Sequence, residues 1–308
     1  MSKDLRIIFM GTPDFAVASL DILVKNGFNV VAVITAPDKP AGRGLQLQES
    51  AVKKYAVANN LPVLQPEKLK NPAFIEELRA LKADLQVVVA FRMLPEMVWD
   101  MPPEGTINVH ASLLPQYRGA APINWAIING EKSSGVTTFK LQHEIDTGDV
   151  LYSQEVPIRE DETAGELHDA LMQTGADLLL KTVQSIAAGT VKGTPQAHFE
   201  AAEIKHAPKI FKETCKINWE ASIDTVYNLV RGLSPYPAAW STLQDKSLKI
   251  YKAHKEHKQP SIAPGAFETD QKTFLKIAAK DGYLVLDEIQ LEGKKKMTVV
   301  EFLRGYRF

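Results

Sequence analysis

Three polar residues of this sequence have side chains that together could carry out acyl transfer. Asn108 and His110 lie two positions apart in an apolar run, residues 106–110, so their side chains project on the same side of the predicted strand. Asp146 follows in the polar segment 143–149. An amide can donate hydrogen bonds to a developing oxyanion, an imidazole can donate or accept a proton, and a carboxylate can act as a base or orient the imidazole. The combination predicts carbonyl chemistry without a metal ion or a covalent nucleophile.

Each of these residues also has an ordinary structural interpretation. A single histidine after a strand is more often structural than catalytic. The sequence Asp146-Thr147-Gly148 is typical of a hairpin loop, because Asp and Gly are turn residues. One Asp-Thr-Gly in a parallel-sheet context also does not provide the paired carboxylates of an aspartic protease. The catalytic interpretation therefore depends on all three residues reaching the same reacting centre.

The elements that must position these residues alternate along the first 150 positions. Near-continuous apolar runs, typical of strands covered on both faces, occupy residues 5–10, 28–35, 85–90 and 106–110. Apolar residues at helical spacing occupy residues 15–25, 50–59 and 72–81. Strands and helices in alternation require crossover connections and predict an α/β, doubly wound, mostly parallel Rossmann-like sheet. Ligands of such sheets bind at the carboxyl ends of the strands, where Asn108 and His110 lie.

The second half of the sequence changes in character. Strands are predicted at residues 135–142 and 150–158, followed by a long helix that Thr163 and Glu166 begin with a capping box and Gly189 ends. After a short helix near residues 222–231, strands are predicted at residues 248–253, 274–279, 283–291 and 297–302. Asp281-Gly282 and Glu292-Gly293 supply hairpin turns. Several short strands in about 90 residues predict a small C-terminal β-barrel, with an oligonucleotide-binding-like fold favoured.

Composition separates the chain into unequal parts. We predict a catalytic domain at residues 1–189, a linker at 190–210 that contains glycine and proline, and a C-terminal β-barrel at 211–308. The formal net charge of the whole chain is −1, but residues 205–308 carry 18 Lys and Arg against 12 Asp and Glu. This excess of six positive charges favours a polyanionic partner for the C-terminal part, although an ordinary soluble surface can also carry it.

Two classes of protein are disfavoured by composition. The single cysteine, Cys215, excludes an intramolecular disulfide and a multi-cysteine metal site. No apolar run approaches the roughly 20 residues that span a bilayer, and the N-terminal run is too short and too charged for a signal peptide. We therefore expect a cytoplasmic protein that does not contact membranes.

Four motifs lie at or near the predicted site: Asn108-x-His110, Ser112-Leu113-Leu114-Pro115, Arg118-Gly119-x-x-Pro122 and Asp146-Thr147-Gly148-Asp149. In these motifs the chain resembles the 10-formyltetrahydrofolate-dependent formyltransferases. The resemblance covers essentially the whole chain. Further segments are similar to the branch of the family that formylates methionine on initiator tRNA: residues 11–15, 37–44, 217–219 and 235–240. The loop at residues 37–44, with its sequence Pro40-Ala41-Gly42-Arg43-Gly44, is the most specific of these segments.

The resemblance implies a role for each matching residue. The formyl donor would be 10-formyltetrahydrofolate, the acceptor would be the α-amino group of methionine on initiator tRNA, and no metal would be needed. Asn108 and protonated His110 would stabilise the oxyanion, while Asp146 would stabilise the imidazolium and receive a proton from the amine. The folate pocket would be shaped by Ser112, Leu113, Leu114 and Pro115, and tRNA would be contacted by Lys39, Arg43 and Lys209. We expect the protein to act as a monomer.

Two other functions remain compatible with the sequence. The chain could formylate a nucleotide-linked amino sugar, an acceptor that would leave the 37–44 loop and the basic C-terminal part unexplained. It could also be a non-catalytic RNA-binding protein, against which the intact Asn108, His110 and Asp146 argue. The chain departs from the family in the loop at residues 91–95, which lacks the usual glycine and is one residue shorter. In the family this loop helps to hold the pterin through backbone groups, and we assign no individual residue of the loop to that contact.

Overall fold

A computed structural model of the chain describes residues 4–41, 46–198 and 203–308, and the chain divides into two units. The first unit comprises Met1–Gly119, Gly135–Val156 and His168–His206. The second comprises Ala120–Ser134, Pro157–Leu167 and Ala207–Phe308. The segments Ala120–Ser134 and Pro157–Leu167, which lie between parts of the first unit in the sequence, thus pack with the C-terminal residues. The domain boundaries at residues 189 and 210 stay a prediction.

The described residues form strands in both units. They are β1 Arg6–Gly11, β2 Asn29–Ile34, β3 Lys39–Ala41, β4 Gln46–Gln48, β5 Val63–Leu64, β6 Leu85–Val89, β7 Thr106–His110, β8 Arg118–Gly119, β9 Ser133–Lys140, β10 Val150–Pro157, β11 His206–Ala207, β12 Ala239–Leu243, β13 Lys246–Glu256, β14 Phe267–Thr269, β15 Leu275–Ala278, β16 Tyr283–Leu291 and β17 Met297–Thr298.

Helices connect several of the strands of the first unit and also occur in the second. The α-helices are α1 Asp14–Lys25, α2 Ala51–Ala58, α3 Pro72–Ala80, α4 Glu96–Trp99, α5 Pro122–Ile128, α6 Ala164–Ala187, α7 Ile223–Gly232 and α8 Val299–Gly305, and short 3₁₀ helices span Gln196–His198 and Glu213–Cys215. None of the helices in the described part of the chain is long and apolar enough to cross a bilayer.

The sheet of the first unit has the strand order β10-β9-β7-β6-β1-β2-β5. Strands β5, β2, β1, β6 and β7 pair in parallel, and β9 pairs with β7 in the antiparallel direction. From β1 the chain first runs outward to β2 and β5, then returns to the other side of β1 for β6 and β7. The strand order therefore reverses between β1 and β6, which is where open α/β sheets bind ligands. The predicted Rossmann-like sheet is confirmed.

The sequence accounts for this sheet directly. β6 is buried at all five positions, and β1 is buried at every position after Arg6. Helix α1 follows β1 closely because Gly11 has no side chain, and a Cβ there would lie 2.6 Å from the Cβ of Ala16. Helix α6 begins with the predicted capping box, in which Glu166 accepts from Thr163 and the Glu166 amide donates to the Thr163 hydroxyl.

The second unit contains an antiparallel sheet in the order β12-β13-β16-β15-β14, with β17 paired to β16. Its inward face packs with α7, because Val226, Tyr227 and Val230 are buried in the same apolar cluster as Ile250 and Leu286. The predicted small C-terminal β-domain is confirmed. Helix α5 belongs to this unit, and Asn124 on it donates to the carbonyl of Gly232 at 2.7 Å.

One predicted strand of this unit is wrong. Residues 297–302 form only the two-residue strand β17, and helix α8 begins at Val299. The reason is a second capping box: the hydroxyl of Thr298 accepts from the amide of Glu301, and the Glu301 carboxylate accepts from the amide of Thr298. This local exchange satisfies free N–H groups at the helix start and outweighs the strand propensity of the valines.

Candidate active site

His110, the last residue of β7, is held by a backbone carbonyl. Its Nε2 atom lies 2.9 Å from the carbonyl oxygen of Tyr117. Because a carbonyl can only accept, Nε2 must carry the hydrogen, and Nδ1 is the ring nitrogen left for chemistry. Nδ1 lies 4.0 Å from Oδ2 of Asp146, and both side chains are nearly buried. A neutral ring would offer Nδ1 as a proton acceptor, whereas a protonated ring would offer it as a donor beside a carboxylate.

Asp146 is presented by a tight loop between β9 and β10. Its backbone is left-handed, with a φ of 55°, and its Oδ2 accepts a hydrogen bond of 3.0 Å from the amide of Gly119. Gly148 is required in the same loop, because a Cβ there would overlap the carbonyl oxygen of Lys140. The loop therefore fixes the carboxylate beside the imidazole. At 4.0 Å the pair is longer than a hydrogen bond, as catalytic pairs often are before substrate binds.

Asn108 lies two residues before His110 in β7, so both side chains are on the same face of the strand. It stands opposite Val88 in β6 and Phe139 in β9. Its side-chain oxygen is buried and has no hydrogen-bond partner among the described residues. Buried polar atoms are rarely left unpaired in folded proteins, and a catalytic role is one of the reasons for an unpaired one. The carboxamide is thus available to a polar substrate group near the carboxyl end of the strand.

The segment from Ser112 to Pro115 contributes mainly to the scaffold of the site. The hydroxyl of Ser112 is fully buried and donates to the carbonyl of Gln116 at 2.6 Å. Leu114 packs in a small cluster with Phe139 and Val150. Pro115 is buried as well, and Leu113 is half-buried. Of the four residues predicted to shape a folate pocket, Leu113 is the one with substantial exposed surface.

A cavity of about 420 Å³ opens at the carboxyl ends of β1, β2 and β6, where the strand order reverses. Its lining residues are Thr12, Ala36, Pro37, Lys39, Glu67, Ala90, Phe91 and Arg92. The guanidinium of Arg92 donates to the carbonyls of Pro66 and Glu67, and its buried Nε has no partner among the described residues. Burial lowers the pKa of Arg92. The atypical 91–95 loop therefore forms one wall of this cavity.

The predicted tRNA-contacting residues lie in different units. Lys39 is exposed in β3, which pairs with β4 to form a short ribbon at the rim of the cavity. Arg43 lies outside the described residues. The base of the ribbon is fixed because Asp38 accepts from Lys53 and Gln65. The hydrogen bond from Lys53 is the main cause of the lowered pKa of Asp38.

Lys209 is exposed in the second unit, with its Nζ 5.6 Å from the ring centroid of Phe211. Nearby, Lys212 and Lys216 both lie over the ring of Trp240, at 5.7 and 5.6 Å. Lys249 stands opposite Trp240 in the sheet. We call Lys209, Phe211, Lys212, Lys216, Trp240 and Lys249 the lysine–aromatic patch. Cations interleaved with aromatic rings are typical of surfaces that bind nucleic acid.

Sequence reasoning missed several residues that build the site. The backbone groups of Tyr117 and Gly119 hold His110 and Asp146, but a backbone contact leaves no mark in residue type. Gln196 was assigned to the linker, yet its side chain is buried and bonds to the Asp146 loop. A polar residue that is buried within an otherwise exposed segment can be detected only from the fold. In the described residues, no group of three or more His, Cys, Asp or Glu side chains could hold a metal ion.

Comparison with known proteins identifies the family of this chain. Residues 5–183 match the model of the formyl transferase family, and residues 209–307 match the model of the formyl transferase C-terminal domain. The chain belongs to the formyl transferase family. The two matched regions together cover most of the chain and leave Gln196 between them.

Relatives of this formyl transferase extend over nearly its full length. A methionyl-tRNA formyltransferase from Parabacteroides distasonis is 56% identical over 99% of this chain and 97% of its own. One from Flavobacterium johnsoniae is 54% identical over 99% of this chain and 98% of its own. The structure of an N-formyltransferase from Helicobacter canadensis, in complex with folinic acid and dTDP-3-aminofucose, aligns with a TM-score of 0.70. It is 23% identical and covers 95% of this chain and 100% of its own, so that this likeness concerns the fold alone.

Proposed function

We propose that this formyl transferase moves the formyl group of 10-formyltetrahydrofolate to the α-amino group of methionine on initiator methionyl-tRNA. The observation that carries the proposal is the geometry at the end of β7, where the Nδ1 atom of His110 faces the Asp146 carboxylate at 4.0 Å. Asn108 leaves a buried carboxamide oxygen unpaired on the same face. Full-length relatives at 54–56% identity named methionyl-tRNA formyltransferase support the choice of acceptor.

The reaction begins when the neutral amine attacks the formyl carbon. A C–N bond forms to the amine, and the carbonyl oxygen becomes an oxyanion, which the Nδ2–H of Asn108 and the Nδ1–H of protonated His110 stabilise, while the carboxamide oxygen of Asn108 can accept from an N–H of the amine. The nitrogen of the methionine loses a proton to Asp146, directly or through water, and the C–N bond to the folate then breaks. The folate nitrogen takes up a proton, so that charge and atoms balance. An α-amino group has an ordinary pKa of about 7.7–8.0, so a modest base suffices.

The hydrogen bond from His110 Nε2 to the Tyr117 carbonyl explains how one ring nitrogen is reserved for this chemistry. If both nitrogens were exposed, either could take the proton, and only one would face the reacting carbonyl. The Gly119 amide has a corresponding effect on Asp146, because it occupies one lone pair of Oδ2 and fixes the direction of the carboxylate. Both contacts therefore prepare the site before substrate binds.

Each unit carries cations that we propose contact the tRNA. Lys39 and Arg43 on the 37–44 loop would contact the acceptor end of the tRNA, and Lys209 with the lysine–aromatic patch would contact phosphates and unpaired bases. The exposure of Lys39 and Lys209 supports this assignment. We propose further that the protein acts as a monomer in the cytoplasm, where charged initiator tRNA is available.

The test is a comparison of acceptors with one formyl donor. Purified protein is incubated with 10-formyltetrahydrofolate and, separately, with initiator methionyl-tRNA, elongator methionyl-tRNA or a dTDP-linked amino sugar. We expect kcat/KM to be highest for initiator methionyl-tRNA. A preference for the amino sugar would make the chain a sugar formyltransferase, and failure to formylate any of the three would overturn the proposal.

A further inference from the structure

Gln196 joins the two loops that surround the candidate catalytic pair. Its side chain is only 5% exposed, in the 3₁₀ helix Gln196–His198 between the regions matched by the two family models. Nε2 donates to the carbonyl of Asp146 at 2.8 Å and to the carbonyl of Gly148 at 2.9 Å. Oε1 accepts from Nε and from one terminal nitrogen of Arg118, at 3.1 and 2.6 Å. The carboxamide therefore makes all four hydrogen bonds that its two donors and two lone pairs allow.

The two segments that Gln196 joins, the Asp146 loop and the strand Arg118–Gly119, both determine the position of the Asp146 carboxylate. Asp146 carries the carboxylate, and Gly119, which follows Arg118, donates its amide to that carboxylate at 3.0 Å. Gln196 thus ties the backbone of the Asp146 loop to the strand that binds the Asp146 side chain. Its own position is set by antiparallel hydrogen bonds between Thr194 and Val150, both 2.8 Å. These contacts make a closed ring of hydrogen bonds around Asp146.

We propose that Gln196 is a positioning residue for the reaction: its carboxamide sets the distance and direction of the Asp146 carboxylate relative to Nδ1 of His110. The inference rests on the proposed function, because it assumes that Asp146 acts in formyl transfer. Neither glutamate nor methionine, which are similar to glutamine in size, fits as well. Glutamate could accept from Arg118, but its second oxygen would face the carbonyl oxygens of Asp146 and Gly148. Methionine would fill the space without any of the four hydrogen bonds.

The effect should fall on turnover and not on substrate binding. A misplacement of about 1 Å in a catalytic group can reduce the rate by about a hundredfold. We therefore expect Gln196→Met to lower kcat by tenfold to a hundredfold, with KM for both substrates within about threefold of the wild-type values. Gln196→Glu keeps the pairing with Arg118 but loses both hydrogen bonds to the Asp146 loop, so it should lose a similar amount of kcat. Gln173→Met, on an exposed face of α6, is the matched control and should leave kcat unchanged.

A double-mutant cycle with Asp146→Asn separates positioning from general stabilisation. If Gln196 acts through the carboxylate, Gln196→Met should reduce kcat in the wild-type background but change it less than twofold in the Asp146→Asn background. An equal reduction in both backgrounds would make Gln196 a merely structural residue and overturn the inference. The inference would also be overturned if both Gln196 variants kept the wild-type kcat while Asp146→Asn was inactive. If Asp146→Asn itself keeps wild-type activity, the proposed mechanism fails first.

Discussion

Removing the carboxamide of Asn108 should abolish most activity without destabilising the protein. The side-chain oxygen is buried and unpaired, and an unsatisfied buried polar atom costs about 1–3 kcal/mol of folding free energy. Asn108→Ala removes that cost while giving up some packing, so the two effects offset each other. With a first unit of this size, we expect the midpoint of thermal unfolding to stay within about 3 °C of the wild-type value. The same substitution removes the Nδ2–H that we propose donates to the oxyanion, and loss of one such donor should reduce kcat by about a hundredfold to a thousandfold.

The assay measures kcat, both KM values and thermal unfolding on the same preparations. Thr138→Ala in the neighbouring strand β9 is the matched control. The Thr138 hydroxyl is fully buried and pairs with the Thr182 hydroxyl at 2.8 Å, so this variant should lose about 1–3 kcal/mol of stability and keep its kcat. The two variants should thus show opposite patterns. A large loss of stability in Asn108→Ala, or a kcat close to the wild-type value, would refute the interpretation of Asn108 as a polar group reserved for substrate.

Four further outcomes are expected. His110→Ala should lower kcat by about a hundredfold or more and leave tRNA affinity nearly unchanged, measured by filter binding; a loss of only a few-fold would make His110 structural. Arg43→Ala should reduce kcat/KM for initiator methionyl-tRNA by tenfold or more and leave KM for folate unchanged. The control Arg79→Ala, on the exposed face of α3, should change neither value. Unchanged acceptor preference and salt dependence in Arg43→Ala would contradict a contact between Arg43 and tRNA. Gly148→Ala should lower both thermal stability and kcat, because its Cβ would overlap the Lys140 carbonyl, while Gly305→Ala, which has open space around it, should change neither. Burial and a hydrogen bond to Asp161 raise the pKa of Tyr227 to about 12. The protonated phenol therefore stabilises the folded protein fully below its ordinary pKa near 10, and this stabilisation is lost as the pH rises through 12. The free energy of unfolding measured across this range should depend less on pH in Tyr227→Phe, and equal dependence in both proteins would disprove the linkage.

The sequence was sufficient to predict the Rossmann-like sheet because its strands are buried on both faces. Strand β7 was predicted with its exact bounds, and β16 likewise, since each has turn residues or polar residues at both ends. The position of Asn108 and His110 at the end of β7 also identified them as candidate catalytic residues. The strand face on which a side chain lies is a local property, because it depends only on the spacing of residues along the strand.

What could not be predicted depends on contacts between distant segments. The Tyr117 carbonyl and the Gly119 amide act through the backbone, whose direction follows from loop geometry and not from residue type. Gln196 is 50 residues from Asp146 in the sequence, so that their contact is invisible before the chain folds. In the second unit, the pattern Thr298-x-x-Glu301 was an available signal for α8, but the valines between them favoured a strand.

The most direct test of the central claim is product formation by a protein that lacks all three proposed catalytic side chains. Wild-type protein and the triple variant Asn108→Ala, His110→Ala, Asp146→Asn are mixed in single-turnover amounts with initiator methionyl-tRNA and 10-formyltetrahydrofolate carrying a labelled formyl group. Label is then followed into formylmethionyl-tRNA, and tRNA binding is measured in parallel. We predict rapid transfer by the wild-type protein and background transfer by the variant, with tRNA affinity retained in both. Transfer by the variant at a rate near the wild-type value would show that the reaction is carried by other residues.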